Sequence, residues 1–463
     1  MSSICVSSDR WSSMNDDGIF LGVSDGGDVA TDHERAALII GPTRSGKTTS
    51  IIIPNLLLTS RAVVTTSTKP DVVEVTSRIR RDVTTLLFDP SGEVPAPAHV
   101  RRVGYSPLVS AHSWDRSILI TRSLVASARR RVDGPGDHWT ERAAALVAPL
   151  LHAAALSSTS LADVAHQIDA RVSDDACAVL RHHYGESHPA VATITGVLAS
   201  EDRELSSIWS TAAGLFAGLR TMAARAAAAL PSIDVAALLS GGHHLHIVAP
   251  RRHHAVSAPL VVGLIDEVVH SAYQRFPHGP GLLLALDELA NVAPLPDLAS
   301  IVSEGGGQGV LTLACLQDLS QARSRWGTEA GSFPSLFPTT VIFPGIADRS
   351  TLDLIATLGG RHPTPTRTQQ RSRRRRRGQA TGWIERDRLS AADVAHGRPG
   401  YALTMGPSKQ VSWTRLAPFY HDSRFTLERD RAMPSGARPV DESRREDHPL
   451  PTRHGGLLGQ GPP

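Results

Sequence analysis

Gly41–Thr48 reads GPTRSGKT and fits the pattern GxxxxGK[ST] without mismatch. In such a loop the glycines let backbone N–H groups curl around phosphate oxygens, and the N-terminus of the following helix adds its dipole. Gly41, Pro42, Thr43, Arg44, Ser45 and Gly46 would form the cradle, with Thr49 just beyond it. Lys47 would reach the β- and γ-phosphates, and the Thr48 hydroxyl would ligate Mg²⁺. A second group lies far along the chain in GLLLALDELA, where the apolar run Leu282–Leu286 ends at Asp287. Asp287 is placed to hold Mg²⁺, directly or through water, and Glu288 to polarise the attacking water. A third apolar run, Val310–Cys315, ends at Leu316-Gln317. A Gln at the tip of a neighbouring strand can touch the γ-phosphate or its water and report hydrolysis. Each feature has a plainer reading: a glycine-rich turn, an acidic helix cap, a loop hydrogen-bonder. Together, with a strand before the loop and a helix after it, they point to ATP hydrolysis.

These residues need strands to hold them. Ala36–Ile40 runs straight into the loop, and the segment after it, IIIPNLLL, reads as a helix that Pro54 kinks or marks at its early turns. Further strands are expected at Ala62–Thr66, Thr84–Phe88, His244–Val248, Gly281–Leu286, Val310–Cys315 and Thr339–Phe343. Strands alternating with helical stretches predict an α/β fold with a mostly parallel sheet. Between them, 112–229 is Ala-rich with 3.6-residue periodicity and no strand-like alternation. That predicts an all-α domain, which explains the long interval from Lys47 to Asp287. The nucleotide-binding domain is thus expected in two stretches, 18–111 and 230–430, on either side of the all-α domain at 112–229. A loose N-terminus (1–17) precedes them. Within the second stretch, 366–377 is a basic, low-complexity loop, and 431–463 reads as a disordered tail.

Composition sets the bounds. A chain of 463 residues exceeds one domain of roughly 100–200 residues. Its 41% hydrophobic and 20% charged content is ordinary for a globular protein. The net charge of +3 does not by itself imply nucleic acid. Cys5, Cys177 and Cys315 are far apart and lack metal-type spacing, which suits a reducing compartment. The N-terminus lacks a signal pattern, and no apolar run approaches the roughly 18–20 residues that span a bilayer. The expectation is a cytoplasmic protein that meets a membrane only through a partner.

Read as a set, GPTRSGKT, VVTTSTKPDVVEVTSRIRR, LLFDPSG, GYSPL, LDELANVAPLPDLASIVSEGGGQGV, CLQDLSQARSRWG and the closing YALTMGPSKQVSWTRLAPFYHDSRF resemble the coupling-protein ATPases of type IV secretion and bacterial conjugation. The resemblance runs, with gaps, from about Gly18 to Phe425. It implies a RecA-like ATPase domain of the FtsK–HerA type carrying an all-α domain. It also implies a homo-hexameric ring with ATP between subunits, and DNA or a relaxase–DNA complex delivered to secretion-channel subunits. Two departures stand out. Family members commonly carry N-terminal membrane helices, and many have an arginine in the glycine-rich stretch that here reads Glu304-Gly305-Gly306-Gly307-Gln308-Gly309. An arginine finger would then fall to Arg323, Arg325 or Arg349.

Weaker candidates remain. Arg371 and Arg373, Arg374, Arg375, Arg376 and Arg377 form a run suited to DNA phosphates, or a solvated loop. His243, His244, His246, His253 and His254 have no Cys or acidic partner at ligand spacing, which speaks against zinc. Lys69-Pro70-Asp71 follows a strand end and reads as a turn or a nucleotide neighbour. Two alternatives to the secretion motor are a soluble FtsK–HerA-type DNA translocase in repair, segregation or defence, and an ATP-gated adaptor that moves nothing.

Overall fold

The computed structural model describes residues 18–128, 136–279, 281–371, 377–408 and 410–425. The expected loose N-terminus (1–17) and tail (431–463) lie outside the described residues.

Twelve strands form one sheet: β1 (Phe20–Ser24), β2 (Gly27–Ala30), β3 (Ala37–Ile40), β4 (Ala62–Ser67), β5 (Thr84–Phe88), β6 (Arg101–Val103), β7 (His243–Val248), β8 (Leu282–Leu286), β9 (Val310–Leu316), β10 (Thr339–Ile342), and, after a separate hairpin of β11 (Arg361–Arg371) and β12 (Arg377–Asp387), β13 (Tyr401–Met405) and β14 (Val411–Arg415). The order is β2-β1-β14-β13-β10-β3-β9-β8-β4-β7-β5-β6. From β10 to β6 every neighbouring pair is parallel, and β13, β14, β1 and β2 extend that edge antiparallel. The fold is an α/β, mostly parallel, RecA-like P-loop architecture.

Both faces of the parallel region are covered, which is why β3 and β8 are continuous apolar runs and β9 nearly so, while β4, β7 and β10 also bury Thr or His. The pleat divides each run between two cores. Ala37 and Ile39, Leu283 and Ala285, and Leu311 and Leu313 join Ile52, Leu56 and Leu57 on one side. Leu38 and Ile40, Leu282, Leu284 and Leu286 join Leu124, Leu150 and Leu264 on the other. Between β6 and β7 the described chain is helical, with the long helices Trp114–Ser127 and Gly136–Ser157 on this second side.

Two expectations need correcting, and one is refined. Helix His254–Arg275 does reach the length and apolarity of a membrane span, and 61% of its apolar window is buried inside the protein. It lies in the second core beside helix Trp114–Ser127, and packing on several sides accounts for its composition. Of the expected basic loop at 366–377, residues 366–371 and 377 belong to strands of the β11–β12 hairpin, and 372–376 lie outside the described residues. The helix after the glycine-rich loop opens with wide π-type turns over Thr48–Ile52 before continuing as Ile53–Leu58. Pro54 sits at that junction, where its missing N–H costs the helix least.

Candidate nucleotide site

In the parallel sheet the functional residues leave the C-terminal ends of adjacent strands, the edge where open α/β sheets bind ligands. The glycine-rich loop follows β3, Gln317 follows β9, Asp287 and Glu288 follow β8, and Lys69 to Asp71 follow β4. The backbone stitches the loop's start in place: Gly41 N–H donates to Leu316 O at 3.0 Å, and Phe343 N–H to Ile40 O at 2.8 Å. A side chain at Gly41 would meet Phe343 Cβ at 2.6 Å, so the glycine is required by close approach. The loop turns through Arg44 at φ 65° and Gly46 at φ 94°. A left-handed arginine is a strained conformation of the kind that gathers at ligand clamps.

Lys47 folds over this loop and donates from Nζ to Gly41 O and, at 2.9 Å, to Pro42 O. Thr49 donates to Gly46 O at 3.2 Å. Ser45 Oγ is buried within the loop and has no protein partner. Across 239 residues of chain, Thr48 Oγ1 donates to Asp287 Oδ2 at 2.8 Å. Burial pushes the Asp287 carboxyl up to about 6, while the Thr48 hydrogen bond and the Lys47 charge pull the other way. Its buried oxygen site beside a threonine hydroxyl suits a hard divalent cation held by few protein ligands.

Glu288 sits at the N-terminus of the short helix Leu289–Val292 without capping it and stays half-buried, with Asn291 Nδ2 donating to its Oε2 at 3.3 Å. Sequence reasoning missed Asn291, although its spacing of three residues from Glu288 is the signal that could have found it. Gln317 is half-buried, and its backbone N–H donates to Gln321 Oε1 at 2.9 Å. Asp318 caps helix Leu319–Trp326 through Ser320 and Gln321 N–H, fixing the turn that presents Gln317. At β4, Ser67 Oγ donates to Lys69 O at 2.9 Å and accepts from Lys69 N–H, so this segment is a structured turn. It is also close to the site, since the Asp71 charge raises the Asp287 pKa.

The arginine candidates are placed differently. Arg323 donates to Asp348 Oδ2 at 2.9 Å and to Ser350 Oγ at 2.6 Å. Arg349 pairs with Asp353 at 3.5 Å on an exposed helix face. Burial lowers the His254 pKa; Arg325 lies near enough to add a small push the same way, while Glu288 acts in the opposite direction. Among the histidines, His244 and His246 are buried in β7, and burial holds both below their usual range, His246 at about 3. His253 faces Glu93, and His254 bonds Ala249 O at 3.0 Å. No group of three His, Cys, Asp or Glu side chains placed for a metal occurs among the described residues. Arg371 and Arg377 are paired in register at the end of the hairpin, whereas Arg373–Arg376 lie outside the described residues.

The model of the family described as "Type IV secretory system Conjugative DNA transfer" matches residues 7–382. No curated protein matches the chain. Among solved structures, the bacterial conjugative coupling protein TrwBΔN70, unbound, is similar with a TM-score of 0.66 at 19% identity, over 86% of this chain and 88% of that one. The plasmid coupling protein TrwB with the non-hydrolysable GTP analogue GDPNP gives 0.63 at 19% identity, over 86% and 89%. TrwB with ADP and Mg²⁺ gives 0.63 at 19% identity, over 83% and 86%.

Proposed function

The chain belongs to the type IV secretory system conjugative DNA transfer family, and from that premise we propose that it is a motor ATPase. It couples ATP hydrolysis to moving DNA, or a relaxase–DNA complex, to a secretion channel. The observation that carries this reading is the Thr48–Asp287 hydrogen bond, which joins the phosphate loop to the acidic strand end.

The residues divide the chemistry between them. Lys47, now satisfied by carbonyls of its own loop, turns its ammonium to the β- and γ-phosphates. Thr48 and Asp287 would hold Mg²⁺, which would supply charge to neutralise the phosphates. Glu288, steadied by Asn291, takes the proton of the attacking water, and Gln317 contacts that water or the γ-phosphate. Residues 18–111 and 230–430 form the nucleotide-binding domain, with the all-α domain at 112–229 between them. The ADP and Mg²⁺ of the TrwB complex support ATP and Mg²⁺ as the ligands here.

The working form is a homo-hexameric ring with ATP between subunits, its partners being DNA, relaxase and channel subunits, and any contact with the membrane running through those partners. A neighbouring copy supplies the cation that Glu304–Gly309 lacks. ATP turnover per chain therefore rises steeply with protein concentration, and rises again when DNA is added. Turnover rates measured beside sedimentation across a concentration series test this. A monomer with full, concentration-independent activity would remove the ring.

A further inference from the structure

Only three of the 48 lysine and arginine side chains in the chain are lysines: Lys47, Lys69 and Lys409. Two of the three follow strands at the same edge of the sheet, Lys47 after β3 and Lys69 after β4. In the order β3-β9-β8-β4, the strands between them lead to Gln317 and to Asp287 and Glu288. The two lysines therefore flank the proposed catalytic residues.

Register brings Lys69 close. Thr66 pairs in parallel with Leu286, so Ser67 and Asp287 come next on neighbouring strands and share a face. That is the face of the phosphate loop, because Asp287 accepts from Thr48 at 2.8 Å. Ser67 Oγ donates to Lys69 O at 2.9 Å and accepts from Lys69 N–H at 3.2 Å, which ties the Lys69 backbone to the residue beside Asp287. Neighbouring strands lie about 4.8 Å apart, a step that the flexible four-carbon stem of lysine spans. Lys69 is exposed, and no hydrogen bond or ion pair holds its ammonium among the described residues. Lys47, by contrast, is satisfied by two carbonyls of its own loop. The local charge also calls for a second cation. Glu288 and Asp71 are both close enough to raise the Asp287 pKa, so three carboxyl groups gather where a polyphosphate must enter.

Resting on the ATPase reading above, we propose that Lys69 is a second catalytic cation, contacting the γ-phosphate of the ATP bound to its own chain. It acts in addition to the cation from a neighbouring copy. Water bonds to the γ-phosphorus as the bond from that phosphorus to the β–γ bridging oxygen breaks. ADP leaves with the electron pair, and Glu288 takes the proton of the water. The γ-oxygens carry negative charge throughout, and the Lys69 ammonium offsets it from the side opposite Lys47. A compact point charge on a flexible stem can follow the phosphoryl group as it moves away from ADP. ADP itself lacks the group that Lys69 contacts, so the contact distinguishes ATP from product.

The test measures single-turnover ATP hydrolysis and ADP affinity in wild type, Lys69→Met and Lys69→Arg, in preparations that sediment alike. Methionine keeps an unbranched stem and removes the charge. Lys69→Met should hydrolyse ATP roughly 10²–10³-fold more slowly, the usual cost of losing one group that stabilises transition-state charge. Its ADP affinity should stay within about twofold of wild type, since the lost contact is to the γ-phosphate alone. Lys69→Arg keeps the charge and should hydrolyse faster than Lys69→Met. Hydrolysis by Lys69→Met at the wild-type rate would overturn the proposal. A parallel loss of ADP affinity would overturn it too, because Lys69 would then only support the turn after β4. A mixture of Lys69→Met and Lys47→Ala copies should stay inactive, since neither chain carries both lysines. Activity regained on mixing would show that Lys69 serves a neighbouring site and that the own-chain assignment is wrong. Failure of the wild type to hydrolyse ATP would instead remove the ATPase reading itself.

Discussion

The phosphate loop and the β11–β12 ribbon both carry positive charge, yet they are built in opposite ways. Around Lys47 the chain uses buried strands, a left-handed arginine, a sterically required glycine and a hydrogen bond spanning 239 residues to fix a few atoms. The ribbon and the residues between its strands instead repeat arginine in sequence, at 367, 371 and 373–377. Hydrolysis needs a base, a cation site and phosphates held in one geometry, and burial in a close-packed sheet supplies that. Binding a flexible polyanion needs density of charge, and each phosphate contact acts nearly independently.

This contrast predicts that the two regions can be broken separately. Lys47→Ala removes the ammonium placed at the phosphates and should abolish nucleotide binding, leaving nucleotide-free DNA binding intact. Equilibrium binding of a fluorescent ATP analogue and of labelled DNA to one preparation checks both halves. Replacing Arg371 and Arg373–Arg377 by Gly-Ser should do the reverse. DNA affinity should fall for all sequences, and its salt dependence should flatten by about 0.7–0.9 log units per lost contact for each tenfold rise in salt. ATP turnover without DNA should hold near the wild-type rate. An unchanged salt slope would return the arginines to solvent.

A smaller effect concerns the sheet that carries the site. His246 is buried and titrates at about 3 when folded, against about 6.5 when unfolded. Between those values the unfolded chain binds a proton that the folded one refuses. Its contribution to stability is therefore whole above pH 6.5 and declines as pH falls toward 3. His244 acts in the same direction, whereas Asp287, raised to about 6 by burial, works against it. The clean measurement is the difference between wild type and His246→Asn in denaturant midpoint at about pH 7 and about pH 5, a window inside the shift. Wild type should lose more stability over that interval, and parallel losses would reject the role of His246.

What could be read from the sequence follows the same division. Leu282–Leu286 is apolar without interruption and Val310–Leu316 is broken only by Thr312, because both faces of β8 and β9 are covered, so strand and strand end could be read together. β1 and β14 pair across nearly the whole described chain, and no local pattern reveals a partnership at that separation. β2 is short and exposed at the sheet edge, so it lacks an apolar signature. The ribbon defeated the pattern entirely, since polar residues on both faces leave no alternation to detect. Helix His254–Arg275 went unnoticed as a long apolar helix, and it is apolar because the core surrounds much of it. At the site, Asn291 and Gln321 act through a contact to a neighbouring residue; the three-residue spacing from Glu288 hinted at the first, while the side-chain bond of Gln321 to the Gln317 backbone left no local pattern.

The proposed hydrolysis turns on Glu288, just past the end of β8, acting as the base for water, with Lys47, Thr48 and Asp287 holding the nucleotide and its Mg²⁺. Single-turnover hydrolysis with excess protein isolates that role, comparing wild type with Glu288→Gln at matched nucleotide occupancy. The variant should retain ATP and Mg²⁺ while its hydrolysis rate falls by roughly 10²–10⁴-fold. Hydrolysis of bound ATP by Glu288→Gln at the wild-type rate would show that the base lies elsewhere.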